Sequence, residues 1–564
     1  MEQLTGAQMV VEALREEGVE VVFGYPGGAA LNIYDEIYKQ KHFEHILTRH
    51  EQAAVHAADG YARSSGKVGV AIVTSGPGFT NAVTGIATAH LDSTPIVVIS
   101  AQVATSLIGT DGFQEIDAVG ISRPCTKHNF LVKNVAELPL ILKQAFYIAR
   151  SGRPGPVHID IPKDVTAELG HFDYPKEINM KTYRPTVKGN PRQIQKAAQA
   201  IKDARQAVIC AGGGVMLSGA AMIARTLVEK TKIPVVETLM ARGAFAHDCP
   251  QLLGMVGMHG AYVANMAVSE ADLIVALGAR FDDRVTMRLS EFAKHAKIIH
   301  IDVDPSSIGK IVEVDYPIVG DLKNVLEELI TALADYDPEK QKDWRARLAN
   351  YDSIHPLSYD RDHKGAIKPQ WVVEETGKML GKEAVIVTDV GQHQMWAAQF
   401  YPLDGAKRWV TSGGLGTMGF GFPAAIGAKK ANKDRVVVNF SGDGSILMNI
   451  QELMTASAND IQVINIVLNN NYLGMVRQWQ TFFYDDRRSN TTLEKQPDFV
   501  KLAEAFGCFG ARVERQEDFA AALKAAIASK KAAILDVVVD RMENVLPMVP
   551  TGGSLYNMIL EYKD

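Results

Sequence analysis

Apolar residues fall in short runs along this chain, most of them continuous. They are VEVVFGY (19–25), VGVAIVTSG (68–76), TPIVVISA (94–101) and GPVHIDIP (155–162), then AVICAGGG (207–214), ADLIVALGA (271–279) and AKIIHIDVD (296–304), and finally AVIVTDVG (384–391), RVVVNFSGDG (435–444), IQVINIVLNNN (461–471) and AAILDVVVD (532–540). A run that stays apolar instead of alternating predicts a strand buried on both faces, as in a parallel sheet covered by helices. Helical patterns lie between the runs, so the predicted fold class is α/β throughout, built of doubly wound parallel sheets. The opening segment MEQLTGAQMVVEALREEG predicts an amphipathic helix capped by Thr5. Two polar stretches break the rhythm: 166–193, with Pro175, Pro185 and Pro191, and 335–369, with Pro338, Pro356 and Pro369. Read as linkers, they predict domains near 1–165, 190–335 and 365–545 and a tail at 546–564.

Length and composition agree with that division. At 564 residues the chain exceeds what one core supports, and 47% hydrophobic with 22% charged residues is the balance of a globular protein. A net charge of −6 and the lack of a basic run argue against a nucleic-acid surface. No apolar stretch reaches the roughly 20 residues of a membrane span, and the N-terminus has neither secretion-signal nor transit-peptide character. Cys125, Cys210, Cys249 and Cys508 form no CxxC pair, which predicts reduced thiols, with neither a zinc site nor a disulfide frame. Together these predict a cytoplasmic protein of a bacterium or archaeon.

In parallel sheets ligands bind beyond the carboxyl ends of strands, and seven exits here are glycine-rich: GYPGGAA, TSGPGFTN, AGGGV, LGARFDDR, DVGQHQM, SGGLGTMGFG and SGDGS. The last is the most specific. Gly442, Asp443, Gly444 and Ser445 close a buried strand, a helix is expected to begin at once, and 27 positions after Asp443 the next strand closes at Asn470. The glycines let backbone approach a ligand, and a helix start favours phosphate. Neighbouring strand ends lie about 4.8 Å apart, so Asp443 and Asn470 reach one point. A carboxylate, an amide oxygen and a backbone carbonyl suit Mg²⁺, with phosphate oxygens and water completing the shell; so few protein ligands predict a metal that arrives with a diphosphate. LTRHEQAAVHAADGYAR (47–63) sets Glu51 before a run of small residues that favour close helix packing. Glu is rarely buried unless paired, so Glu51 lies either on a polar edge or against a partner that needs a carboxylate.

GDGS followed by NN resembles the signature of thiamine-diphosphate enzymes. The resemblance implies three domains of that fold, pyrimidine-binding, Rossmann-like and diphosphate-binding. It also implies that Glu51 bonds N1′ of the cofactor's aminopyrimidine and so promotes deprotonation of thiazolium C2. GYPGGA (24–29), RHEQAAVHAADGYAR (49–63), TSGPGFTN (74–81), SGRPGPV (151–157), GARFDDRV (278–285), VGQHQMW (390–396), GGLGTMGFGFPAAIGA (413–428), LGMVRQWQ (473–480) and VLPMVPTGG (545–553) extend it over nearly the whole chain. There the chain resembles the large catalytic subunits of the acetolactate (acetohydroxyacid) synthase family.

That resemblance implies decarboxylation of pyruvate and condensation of the hydroxyethyl carbanion with pyruvate or 2-ketobutyrate, in branched-chain amino-acid biosynthesis. It assigns Glu51, Gly28, Gln114, Arg284 and Trp479 to catalysis. Gly28 has a backbone N–H for an oxyanion, and Arg284 grips the acceptor carboxylate. Gly391, Gln392, His393, Gly416, Met418, Gly442, Gly444, Ser445 and Met475 would hold the cofactor, with Met418 bending it. Asp443, Asn470 and the carbonyl of Tyr472 would ligate Mg²⁺. Phe113, Lys163, Met258, Met475 and Trp479 would line the acceptor pocket, where one methylene is worth only about 1–3 kcal/mol. A non-redox FAD would lie on Arg153, Gly212, Gly213, Gly214, His259, Arg280, Asp282, Asp302 and Asp321. Met287 departs from the family, which usually has Gly there. The implied assembly is a homodimer or tetramer with active sites at the dimer interface, plus a separate small regulatory subunit. The alternative is an FAD-dependent pyruvate oxidase of the same fold, against which Arg284 and Trp479 count. A pseudoenzyme is disfavoured because Glu51, Asp443 and Asn470 are all present, and an NAD-binding protein because no GxGxxG opens a helix after the first strand.

Overall fold

The computed structural model describes residues 3–361 and 365–561. All eleven apolar runs form strands, and these sit in three six-stranded sheets. In the N-terminal sheet the order is Glu44–Leu47, Val21–Gly24, Gly69–Val73, Ile96–Gln102, Val157–Pro162, His128–Leu131. In the C-terminal sheet it is Trp409–Val410, Val385–Thr388, Val437–Gly442, Ile464–Asn469, Ala533–Val538, Phe509–Val513. Numbered within each sheet, both read 2-1-3-4-6-5, so the two outer sheets repeat one topology. The central sheet runs Leu252–Met255, Val235–Glu237, Ala207–Ala211, Leu273–Leu277, Lys297–Asp302, Tyr316–Val319, the 3-2-1-4-5-6 order of a dinucleotide-binding fold.

The strands that the apolar pattern does not reveal are mostly edge strands. Glu44–Leu47, His128–Leu131, Tyr316–Val319 and Phe509–Val513 are only partly buried, and an edge strand needs no continuous apolar run. A short antiparallel pair, Gln3–Thr5 with Leu169–His171, leads into the Gly6–Glu16 helix. That helix starts on a capping box: Thr5 Oγ1 accepts from Gln8 N at 3.2 Å and Gln8 Oε1 accepts from Thr5 N at 2.9 Å.

By compactness the chain divides into two units. Residues 1–183, 383–391 and 410–538 form one, with the N- and C-terminal sheets; residues 184–382, 392–409 and 539–564 form the other, with the central sheet. In the first unit the Glu51–Ser65 helix packs on the Gly421–Ala431 helix. A Cβ on Gly60 would lie 2.0 Å from the carbonyl oxygen of Ala424, and one on Gly427 1.8 Å from that of Ala57. Only glycine permits so close a crossing, and the small residues after Glu51 serve it. One apolar core accordingly joins residues of both sheets, among them Phe23, Ala54, Phe79, Phe420, Ala424 and Val467.

Both stretches read as linkers are packed. In 335–369, of which 362–364 lie outside the described residues, Lys342–Ile354 is a helix that buries Trp344 and Leu348 in the central unit. Trp344 Nε1 donates to the Ala207 carbonyl at 3.1 Å. Its charged residues hid an apolar face spaced i, i+4, i+7 through Trp344, Leu348 and Tyr351. In 166–193, Phe172, Tyr174, Met180 and Tyr183 pack on the N-terminal core.

The short helix Asp283–Thr286 ends at Met287, whose φ of 53° and ψ of −120° define the first central position of a type II′ turn. That conformation suits glycine, the residue that the resemblance leads one to expect here. Met287→Gly and Met287→Ala both delete the side chain, so their difference isolates backbone strain. The glycine variant is the more stable, by about 1 kcal/mol, the reverse of the usual order; thermal denaturation of the two variants side by side checks this.

Candidate active site

The order in which strands are added reverses between the first and third strands of each outer sheet, which stay parallel, and ligands bind in the crevice outside the carboxyl ends at such a reversal. In the N-terminal sheet the exits there are 24–29 and 74–78. Gly28 has open space where a side chain would project, and a Cβ on Gly27 would strike Thr74. Gln114 takes φ 60°, and its carbonyl oxygen lies 2.7 Å from where a Cβ of Gly76 would be. Glu51 is the first residue of its helix, capped by His50, and Asn81 Nδ2 donates to its Oε2 at 3.0 Å. A Cβ on Gly78 would sit 3.5 Å from Glu51 Oε1. Gly28, Glu51 and Gln114 therefore gather at one sheet edge. Glu51 is half-buried rather than buried in the single chain, because it opens its helix at the strand-exit edge. Phe113 is 89% exposed, so one chain alone does not enclose it. Lys163 starts a helix at the exit of Val157–Pro162 and is exposed. Arg153 lies at the opposite, amino edge, donating from Nε to Ser93 Oγ at 2.8 Å.

In the C-terminal sheet the reversal falls between Val385–Thr388 and Val437–Gly442, so the flanking exits are Asp389–Gly391 and Gly442–Ser445. Asp389, which sequence reasoning missed, organises this edge. Its carboxylate accepts the backbone N–H of Val390 at 2.9 Å, Gly419 at 2.8 Å and Gly421 at 3.2 Å, tying the 389–391 exit to the loop carrying Gly416 and Met418. Burial pushes its carboxyl up to about 6. A lone Asp closing the apolar run AVIVTDVG was the available signal. Asn449 adds a bond from Nδ2 to the Gly419 carbonyl at 2.7 Å.

Asp443 is 1% exposed. Gln496 Nε2 donates to its Oδ2 at 2.8 Å, and the backbone N–H of Asn471 also reaches it, which brings the ends of the two strands together. Gln496 was another residue missed, since it lies in a loop 53 positions away. Asn470 Oδ1 accepts the backbone N–H of Tyr472 at 3.0 Å. Ser445 Oγ accepts the Gly442 N–H at 3.1 Å. The α-helix expected directly after Ser445 is displaced: a 3₁₀ turn, Ile446–Asn449, intervenes, and the helix proper is Glu452–Ala458. The tighter turn carries Asn449 onto Gly419, so loop contacts outweigh an immediate helix start. Met475 and Trp479 share a face of the Gly474–Phe483 helix, four positions apart.

Burial pushes the Asp443 carboxyl up to about 7, and the nearby acidic Asp536 pushes in the same direction. A buried anion without a cation calls for a metal or a proton. No cluster of three or more His, Cys, Asp or Glu side chains suited to a metal occurs among the described residues, so a metal here needs oxygens brought by its ligand. The donor set fits Mg²⁺ arriving with a diphosphate. A proton would compete with a metal for Asp443, so apparent Mg²⁺ affinity would fall by up to about tenfold per pH unit below 7 and level off above it. Mg²⁺ titrations of activity at pH 6 and pH 8 check this.

In the central unit the exits of Ala207–Ala211, Leu273–Leu277, Lys297–Asp302 and Tyr316–Val319 form a row, bearing Gly212–Gly214, Arg280 and Asp282, Asp302, and Asp321 in turn. Gly214 N donates to the Gly278 carbonyl at 3.0 Å, and Cβ atoms on Gly212 and Gly214 would strike Gly278 at 2.2 and 2.7 Å. Loop-on-loop packing thus accounts for two of the three glycines without a ligand. Asp282 and Asp321 cap the helices that follow them. His259 is buried, with Nδ1 3.3 Å from the Pro547 carbonyl. Arg284 reaches the Met258 sulfur at 3.9 Å, and backbone bonds join Met258 N to Arg284 O and Val549 N to Met258 O, both 2.8 Å. Gln392 and His393 open the Gln392–Phe400 helix and are buried; Gln392 Nε2 donates to the Glu543 carbonyl at 3.1 Å.

Comparison with known proteins agrees with this geometry. Models described as thiamine pyrophosphate enzyme, N-terminal TPP binding domain, central domain, and C-terminal TPP binding domain match residues 4–121, 194–329 and 389–537. The chain is 49% identical to an acetolactate synthase large subunit of Haemophilus influenzae, with 99% of each chain covered. It is 48% identical to the acetolactate synthase isozyme 3 large subunit of Escherichia coli, again with 99% of each covered. A probable acetolactate synthase large subunit of Methanocaldococcus jannaschii is 49% identical, covering 99% of this chain and 95% of the relative. Matches of that extent, on a chain whose two outer sheets set their glycine-lined exits at the same reversal, show that it belongs to the acetolactate synthase large-subunit family of thiamine-pyrophosphate enzymes.

Proposed function

We propose that this chain is the catalytic subunit of an acetolactate synthase. It decarboxylates pyruvate and joins the remaining two-carbon unit to pyruvate or 2-ketobutyrate, giving 2-acetolactate or 2-aceto-2-hydroxybutyrate for branched-chain amino-acid synthesis. The observation that carries this reading is Asp443, a carboxylate buried beside Asn470 at the reversal point of the C-terminal sheet, with no salt bridge to a cation among the described residues. Thiamine diphosphate, when bound, would supply a nucleophilic carbon for the keto group and a thiazolium ring as electron sink for decarboxylation.

The chain's own groups then do the following. Asp443, Asn470 Oδ1 and the Tyr472 carbonyl hold Mg²⁺. Gly442, Gly444 and Ser445 leave room for the diphosphate, while Gly391, Gln392, His393, Gly416 and Met418 hold the pyrimidine end. Glu51, with Oε2 steadied by Asn81, holds the proton at N1′ of the aminopyrimidine. Gly28 and Gln114 face the carbonyl under attack. Arg284 binds the acceptor carboxylate, and Phe113, Lys163, Met258, Met475 and Trp479 wall its pocket.

Further parts of the reading are these. The domains are 1–165, 190–335 and 365–545 with a tail at 546–564. A non-redox FAD lies along the row of central-sheet exits, on Gly212–Gly214, Arg280, Asp282, Asp302 and Asp321, with Arg153 and His259; the 3-2-1-4-5-6 strand order supports it. The chain works in the cytoplasm as a homodimer or tetramer, with a separate small regulatory subunit. Leu47, Leu107, Phe113, Leu415, Met448 and Val476 are exposed in the unit that carries both outer sheets, which supports a second copy covering them and completing each site.

Incubation with pyruvate, thiamine diphosphate, Mg²⁺ and FAD tests the reading. Acetolactate is the expected product. Acetate formed with flavin bleaching at the rate of turnover would mark a pyruvate oxidase instead.

A further inference from the structure

Glu452 is a fully buried carboxylate to which the mechanism above gives no task. It opens the Glu452–Ala458 helix beside the C-terminal sheet, yet its oxygens point to the segment that presents Glu51. Oε1 and Oε2 accept the backbone N–H of Arg49 at 3.1 and 3.2 Å, and Oε2 also accepts the Thr455 hydroxyl at 2.6 Å. The Thr455 hydroxyl lies 3.4 Å from the Leu47 carbonyl. The chain is thus gripped on both sides of Thr48. Two residues after Arg49 comes Glu51, with His50 between them as the helix cap, its Nδ1 accepting the Gln52 N–H at 3.2 Å. Burying a carboxylate to hold backbone is costly, and an apolar residue would fill the same space. What an apolar residue cannot do is fix the height at which this helix begins, and with it the height of Glu51.

We infer that Glu452 is a positioning residue for Glu51: its carboxylate clamps the Arg49 N–H so that the Glu51 carboxylate stays within hydrogen-bond reach of N1′ of the aminopyrimidine. The inference rests on the reading of Glu51 as the activating carboxylate. A competing role exists, because Glu452 also lies nine residues beyond Asp443 in the same chain and could shape the metal loop instead. The two roles separate experimentally, because in a site shared between two chains Glu51 and Asp443 serve different cofactors.

The first measurement is hydrogen–deuterium exchange at C2 of bound thiamine diphosphate, at saturating cofactor and Mg²⁺. Glu452→Ala slows exchange roughly 10- to 100-fold, the cost of a small misplacement, while the cofactor's dissociation constant is unchanged. Glu452→Gln keeps an oxygen for the Arg49 N–H and restores most of the rate. A merely structural residue would lower the melting temperature and leave exchange of the bound cofactor alone. Exchange at the wild-type rate in Glu452→Ala overturns the inference. Should that variant not fold, Glu452→Asp, whose carboxylate is one methylene short of the Arg49 N–H, loosens the same clamp and gives a smaller fall; an unchanged rate there overturns it equally.

The second measurement mixes subunits. Glu452→Ala combined with Asp443→Asn regains activity, because one hybrid site draws intact Glu51 from one chain and intact Asp443 from the other. Glu452→Ala combined with Glu51→Gln does not. Glu51→Gln with Asp443→Asn is the control: if that pair fails to recover, the shared-site reading falls and the exchange rates alone decide the role of Glu452. If the control recovers while Glu452→Ala with Asp443→Asn stays inactive, Glu452 acts on its own metal loop and the inference is wrong.

Discussion

Glu51→Gln lowers carboligation by roughly 10²- to 10⁴-fold, the contribution of a positioned acid–base group, with the fold and cofactor binding intact. The substitution is nearly isosteric. A glutamine Oε1 still accepts from Asn81, the contact made by Glu51 Oε2 at 3.0 Å. What it cannot do is take up the proton that must reside between the side chain and N1′. Because Glu51 is half-buried at the start of its helix, with no role in the shared apolar core, stability changes by less than about 0.5 kcal/mol. Steady-state rates with pyruvate, set beside a calorimetric titration of thiamine diphosphate, separate the two effects. Equal loss of rate and cofactor affinity would mean that Glu51 is a binding residue only.

Asp443→Asn abolishes Mg²⁺-dependent cofactor binding in practice. Loss of an outer-shell partner alone typically costs 10- to 100-fold in metal affinity, and Asp443 is the one anionic protein ligand proposed. The same change stabilises the metal-free protein. Burial holds the Asp443 carboxyl near 7 in the folded chain, above its ordinary value of 3.8. A carboxyl raised on folding destabilises the fold while ionised: the penalty is full above about pH 7 and fades as pH falls toward 3.8. The melting temperature of metal-free Asp443→Asn therefore exceeds that of the metal-free parent at pH 8, and the difference shrinks toward pH 4. Thermal melts at the two pH values, with and without Mg²⁺ and thiamine diphosphate, read both halves. A variant that still gains stability from the two ligands would remove Asp443 from the metal site.

Strands buried on both faces announce themselves by composition, which is why runs such as RVVVNFSGDG and AKIIHIDVD read correctly. Edge strands such as Phe509–Val513, half-exposed, leave no such mark. The helix within 335–369 was obscured because charge dominates composition even where Trp344 and Leu348 define a buried face. In the candidate site, motif residues were legible because glycines and strand-end polar groups are locally encoded. Asp389, Gln496, Asn81 and Glu452 were not, because each acts on a partner far along the chain: Glu452 on Arg49, 403 positions away. The repeated 2-1-3-4-6-5 order of the outer sheets was equally hidden, since topology depends on pairing and the two halves share no obvious sequence pattern. Even the Gly212–Gly214 run, read as room for a pyrophosphate, is in two of its positions required by the neighbouring Gly278 loop.

The central claim is that the carboxylate of Glu51 activates thiamine diphosphate anchored through Asp443 and Asn470. Proton–deuterium exchange at C2 of the bound cofactor tests it most directly, since no substrate is needed. Wild-type protein should exchange C2 far faster than free thiamine diphosphate, and Glu51→Gln, fully loaded with cofactor and Mg²⁺, should lose most of that acceleration. Equal exchange rates in the two proteins would contradict the claim.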